Sequence, residues 1–101
     1  MSDSIIIIDK NGCVVNHSVS VQRGQWIKWI NEHRSPVVLT RIGSAENGED
    51  DWPWAGTGPY TIPAEPYERC LVIHSGTFTY SVSTCTLGIL TNPEIIVADG
   101  M

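Results

Sequence analysis

"GTFTYSVSTCTLGILTNPEIIV", residues 76–97, is the stretch whose reading decides the fold. Phe78, Tyr80 and Val82 alternate with Thr77, Thr79 and Ser81, the period of two that a half-buried strand imposes on its side chains. "PEIIVA", entered at Pro93, is a last strand closing the chain. Upstream, "YERCLVIHS" reads as the partner arm of a hairpin about Ser75-Gly76, with Ile73 facing Phe78 and Leu71 facing Tyr80. The core face expected from that register is Leu71, Ile73, Phe78, Tyr80 and Val82.

The same pattern continues toward the N-terminus. "SIIIID" is a short β-branched run closed by "DKNG", where Asn11-Gly12 suits the positive φ angles of a tight turn. In "CVVNHSVSV" Val19 and Val21 alternate with Ser18 and Ser20, and "QRG" supplies the next turn. "QWIKWIN" places Ile27, Trp29 and Asn31 on one face and Trp26, Lys28 and Ile30 on the other, with Ile27 and Trp29 assigned to the core. "SPVVLTRI" is entered at Pro36, where a missing N–H does least harm to a ladder. "GSAENGEDDWPWAGTGPYTIPAEP" has no period before "YTIP" and is a long loop. Seven or eight short strands with regular turns and no helical segment predict an all-β Greek-key β-sandwich, one domain over residues 1–101.

The composition agrees: 42% of residues are hydrophobic and 17% charged, which suits a packed β domain and not a disordered chain. A net charge of −5 with six Lys plus Arg leaves too few cations for phosphate neutralisation, so nucleic acid and anionic membrane are excluded as partners. The opening "MSDSIIIIDK" has no basic region, and its four Ile are too short a run for a signal or a membrane span. The expected compartment is the cytoplasm, although a mature secreted domain behind an added Met fits the same residues. Cys13, Cys70 and Cys85 are odd in number and lack C-x-x-C spacing, so reduced thiols are expected.

Two distant motifs then carry a resemblance. Gly24 to Asn31 reads G-x-x-(hydrophobic)-x-(aromatic)-x-N ahead of Pro36, and Gly76, Phe78 and Tyr80 read G-x-(aromatic)-x-(aromatic). In this order, over about residues 14 to 97, they resemble the cupredoxin (plastocyanin/azurin-like) family. The resemblance implies a cupredoxin-like sandwich and four positions for the ligands of a type 1 copper centre: Val37 for the first histidine, Val82 for the cysteine, Cys85 for the second histidine and Leu90 for the methionine. Such a centre needs two imidazoles and a thiolate with a weak axial sulfur. Valine supplies no lone pair, so the scaffold is expected without its copper, with no other cofactor called for.

Elsewhere the sequence offers little chemistry. Cys70 and His74, like Cys13 and His17, stand four residues apart on a strand, roughly 13 Å at 3.3 Å per residue, too far to share one ion. His33 has no neighbouring ligand type, and "ENGEDD" lacks the alternating pattern of a calcium loop. No Ser-His-Asp set or carboxylate pair signals catalysis, and no catalytic residue is assigned. The immunoglobulin alternative is disfavoured because Tyr80 is not followed two residues later by cysteine. Trp52 and Trp54, flanking Pro53, have two readings: a lid over the core, or an exposed surface for a protein partner or a second copy. The functional expectation is a non-enzymatic interaction or structural module without type 1 copper. The alternative is a metal-handling or thiol-redox protein using Cys85 with another Cys or His.

Overall fold

The computed structural model describes residues 4–42, 52–56, 58–65, 67–85 and 92–99. Among them are eight strands and no helix: β1 (Ser4–Ile8), β2 (Ser18–Gln22), β3 (Trp26–Asn31), β4 (Val37–Arg41), β5 (Tyr60–Ile62), β6 (Tyr67–Leu71), β7 (Gly76–Val82) and β8 (Glu94–Ala98). They form two sheets, one in the order β1-β3-β6 and one in the order β2-β8-β7-β4-β5. β1 runs parallel to β3, and β2 parallel to β8, while the remaining pairs are antiparallel. β1 to β4 alternate between the two sheets, and β6 leaves the second sheet for the first between β5 and β7, so the chain encloses a core between two inner faces.

Each inner face follows the period of two. Ile6 and Ile8 of β1, Ile27 and Trp29 of β3, Phe78, Tyr80 and Val82 of β7 and Ile95 and Val97 of β8 are all buried in one cluster. The assignments of Ile27 and Trp29, and of the inward side of β7, match the sequence pattern. The turn expected at Asn11-Gly12 is present but centred on Lys10 and Asn11, since the Gly12 N–H donates to the Asp9 carbonyl at 2.9 Å, and of the expected pair only Gly12, at φ +78°, has a positive φ.

The expected hairpin about Ser75-Gly76 is corrected. β6 pairs with β3 in one sheet, and β7 pairs with β4 and β8 in the other, so residues 72–75 are a crossover between layers. The crossover is held by backbone bonds: Val72 N–H donates to the Gln25 carbonyl at 2.9 Å, and Ile73 and His74 N–H donate to the Pro53 carbonyl at 2.7 and 3.0 Å. Register then fixes the faces. Cys70 lies opposite Ile27, which points inward, so Cys70 and Val72 are buried, whereas Leu71 lies opposite Trp26 and faces out. Leu71 and Ile73 are 40% and 42% exposed, not core. "CLVI" is apolar at every position, and no local pattern distinguishes its two faces.

Candidate functional site

Val37 opens β4 and is fully buried opposite Ile62; Val82 ends β7, buried, opposite Leu39. The two strands are laced at that end by Ser83, whose N–H donates to the Val38 carbonyl at 2.9 Å and whose Oγ accepts from Val38 N–H at 3.2 Å. The chain then turns back, the Cys85 N–H donating to the Val82 carbonyl at 3.1 Å. Three of the four positions implied by the resemblance thus gather at one end of the sandwich. Leu90, the fourth, lies outside the described residues.

What holds this end was not expected. Cys85 is bonded to Cys13 in a disulfide spanning 72 residues of sequence, and the expectation of reduced thiols at these two positions is corrected. The bond ties the loop after β7 to the turn after β1. Beside it, the Thr84 hydroxyl donates to the Gly12 carbonyl at 2.6 Å. A Cβ added at Gly12 would stand 2.5 Å from Thr84 Oγ1, so glycine there serves the close approach of the loop as well as the positive φ. The turn itself is pinned by Asp9, whose Oδ1 accepts from Asn11 and Cys13 N–H at 2.9 and 3.0 Å.

The entry to Val37 is organised by Asn31, a buried amide with partners for both ends. Its Nδ2 donates to the Ser35 and Pro63 carbonyls, each at 2.9 Å, and its Oδ1 accepts from His33 and Arg34 N–H at 2.9 and 3.2 Å. A full set of hydrogen bonds is what makes a buried amide tolerable. It also holds Arg34 at φ +64°. The Asn in the G-x-x-I-x-W-x-N motif is therefore the bracket of the β3–β4 loop.

These positions do not fit a type 1 centre. Two valines have no lone pair and the Cys85 sulfur is already bonded to Cys13, whereas the centre needs imidazoles and a thiolate. Among the described residues no three His, Cys, Asp or Glu side chains stand close enough to hold a metal ion. His33 is turned to the Lys10 carbonyl, its Nδ1 at 2.9 Å.

The third cysteine is separate. Cys70 is buried on the inner face of β6, the face that the expected hairpin register gave to Leu71. Tyr60 OH lies 3.1 Å from Cys70 Sγ and donates to Glu68 Oε2 at 2.7 Å. Burial, opposed by the Tyr60 hydrogen bond and aided by the Glu68 charge, pushes the Cys70 thiol up to about 11. Burial and then the bonds to Cys70 and Glu68 push the Tyr60 hydroxyl far above its ordinary value. A thiol in that state is neutral at physiological pH and a poor nucleophile.

Trp52 is 1% exposed and its Nε1 donates to the Gly58 carbonyl at 2.8 Å. Trp54 is partly buried and stacks on it with ring centroids 5.4 Å apart, while its own ring meets Trp29 edge-on at 6.0 Å and Tyr60 at 4.9 Å. Of the two readings, Trp52 takes that of a lid over the core and not of an exposed interaction residue, because its ring is enclosed by Trp54, Tyr60 and Tyr80. The pair closes the sandwich as a lid. Trp54→Ala is expected to destabilise by about 1–2 kcal/mol, the worth of a half-buried ring and its aromatic contacts, as read by urea unfolding. An unchanged midpoint would mean the ring covers nothing.

No protein-family model and no curated protein matches the sequence. Among solved structures, amicyanin from Paracoccus versutus superposes with a TM-score of 0.60 at 14% identity, over 96% of this chain and 82% of that one. An amicyanin variant in the Cu(I) state gives 0.60 at 15% identity, over 95% and 82%. A purple cupredoxin from Nitrosopumilus maritimus gives 0.60 at 15% identity, over 95% of this chain and 100% of that one. The likeness shows the fold: the chain is a cupredoxin-like β-sandwich.

Proposed function

We propose that this cupredoxin-like domain is a non-enzymatic binding or structural module that works without type 1 copper. The observation that carries the reading is the donor set at the metal end of the fold: Val37, Val82 and a Cys85 sulfur engaged with Cys13. Buried apolar side chains and a covalent cross-link do there what metal–ligand bonds do in a copper protein, tying the β7 loop to its neighbours. The test is a Cu(II) titration of the oxidised protein followed by absorption. No intense blue thiolate-to-copper band is expected, and such a band would overturn the reading.

The disulfide also bears on where the domain works. Protein disulfides persist in oxidising compartments and are rare in the cytosol, so Cys13–Cys85 supports a secreted or otherwise oxidising setting over the cytoplasmic one expected from the N-terminus. No helix among the described residues is long and apolar enough to cross a membrane.

A second reading, a thiol–disulfide couple, is favoured by one observation: Cys85 is only partly buried, and exchange depends on access to the disulfide. Equilibration in glutathione buffers separates the two. A bond that persists at cytosolic glutathione ratios is a staple, and one that opens and recloses within that range is a couple.

A further inference from the structure

A cleft of about 850 Å³ lies between the turn after β1, the end of β3 with its loop to β4, and the segment after β5. That volume is in the range of small-molecule sites. Ile30 and Ala64 give it an apolar part, and Lys10, Glu32, His33 and Arg34 a polar and charged one. Neither the positions of the copper end, Val37, Val82 and Cys85, nor the tryptophan lid lines it.

Two cations meet one acid on this lining, in a chain of net charge −5. Among the described residues the Arg34 guanidinium and Lys10 Nζ make no ion pair or hydrogen bond, with Glu32 or with any other group. Asp9, the acid next to Lys10, directs its Oδ1 to the Asn11 and Cys13 N–H. Arg34 is also held where the backbone does not favour a side chain. Its φ is +64°, a left-handed position that glycine takes at no steric cost, and Asn31 Oδ1 fixes it there by accepting from its N–H at 3.2 Å. Side chains carried on backbone of that kind gather at binding sites. His33 Nδ1, 2.9 Å from the Lys10 carbonyl, ties the two arms of the cleft together, so the cations are carried on linked segments.

We infer that this cleft binds a small organic carboxylate, its charged end meeting Arg34 and Lys10 and its apolar body lying on Ile30 and Ala64. The donors select carboxylate over phosphate. Phosphate in protein loops is commonly cradled by free backbone N–H groups, and those of residues 32, 33 and 34 are already given to the Ile8 carbonyl and to Asn31 Oδ1. What remains is one ammonium and a guanidinium fork, which matches a planar carboxylate with two parallel bonds. The surplus of a single positive charge among Lys10, Glu32 and Arg34 also suits a monoanion. The inference goes beyond the copper-free reading and gives the binding module a ligand class.

The test is amide shift mapping of the oxidised wild-type protein with benzoate and hexanoate, set against benzyl alcohol, hexanol and phenyl phosphate. One or both carboxylates should shift the amides of residues 10, 30–34 and 64, with an affinity that falls as salt rises. Arg34→Gln and Lys10→Gln should each lower that affinity about tenfold, and each variant is checked against the wild-type amide spectrum for an intact fold. Arg34→Gly, which suits the left-handed backbone, replaces the glutamine variant should that one fail to fold. Absence of shifts with both carboxylates, shifts confined to another part of the surface, an equal response to the alcohols, tighter binding of phenyl phosphate, or affinity indifferent to R34Q would overturn the inference. So would binding of polyglutamate in place of the small carboxylates, which would make the cleft a docking surface for acidic protein. A blue copper band with carboxylate binding intact strikes the functional reading alone, and failed carboxylate binding with no such band strikes this inference alone.

Discussion

Cys13→Ser/Cys85→Ser is expected to lower the stability of the domain by about 4 kcal/mol, with an unfolding midpoint some 15–30 °C lower. In the chain-entropy account a cross-link stabilises by restricting the unfolded ensemble, and the gain grows with the length of chain enclosed. Here the two cysteines are 72 residues apart, most of the domain. Against a total stability of roughly 5–15 kcal/mol this is a large share. The local contacts around the bond amplify the effect, since Thr84 and Gly12 keep their hydrogen bond only while the loop after β7 lies on the turn after β1. Reduction of the wild-type protein should reproduce the loss, and Cys70, a free thiol buried on the inner face of β6, should contribute nothing to the difference. Unfolding curves that coincide with and without reductant would contradict the account.

Trp29→Ala should cost about 3–5 kcal/mol, the range for removing a large aromatic from a packed core. Trp29 is fully buried, pairs in register with Ile6 on one side and Glu68 on the other, and meets Trp54 and Tyr80 edge-on at 6.0 and 6.1 Å. Three of its neighbours come from separate elements: β1, β7 and the segment 52–56. The void therefore cannot collapse by the shift of one strand. Denaturant unfolding measures it, and a change under about 1 kcal/mol would mean the ring is not the centre of this core.

Alternation was enough to read the inward faces of β3 and β7, because Thr79 and Ser81 separate Phe78, Tyr80 and Val82, and Lys28 separates Ile27 from Trp29. It failed in "CLVI", where four apolar residues in succession satisfy either face, and the choice falls to pairing with Ile27 on a strand far away in sequence. Two motifs offered four positions for a metal end, of which Val37, Val82 and Cys85 lie among the described residues. The disulfide was not legible, since an odd number of cysteines without close spacing carries no pairing information, and residues 13 and 85 follow strands β1 and β7 of different sheets, which only the folded sandwich brings together. The tryptophan pair lay between two readings because a loop aromatic looks the same in sequence whether it faces water or covers a core.

The central claim is that a covalent bond closes the end of the fold where a copper protein holds its metal. Alkylation of the unfolded, unreduced protein followed by peptide mass spectrometry tests it most directly. The account predicts one modified cysteine, Cys70, and a linked pair of peptides containing Cys13 and Cys85. Three modified cysteines, in protein prepared without reductant, would contradict it.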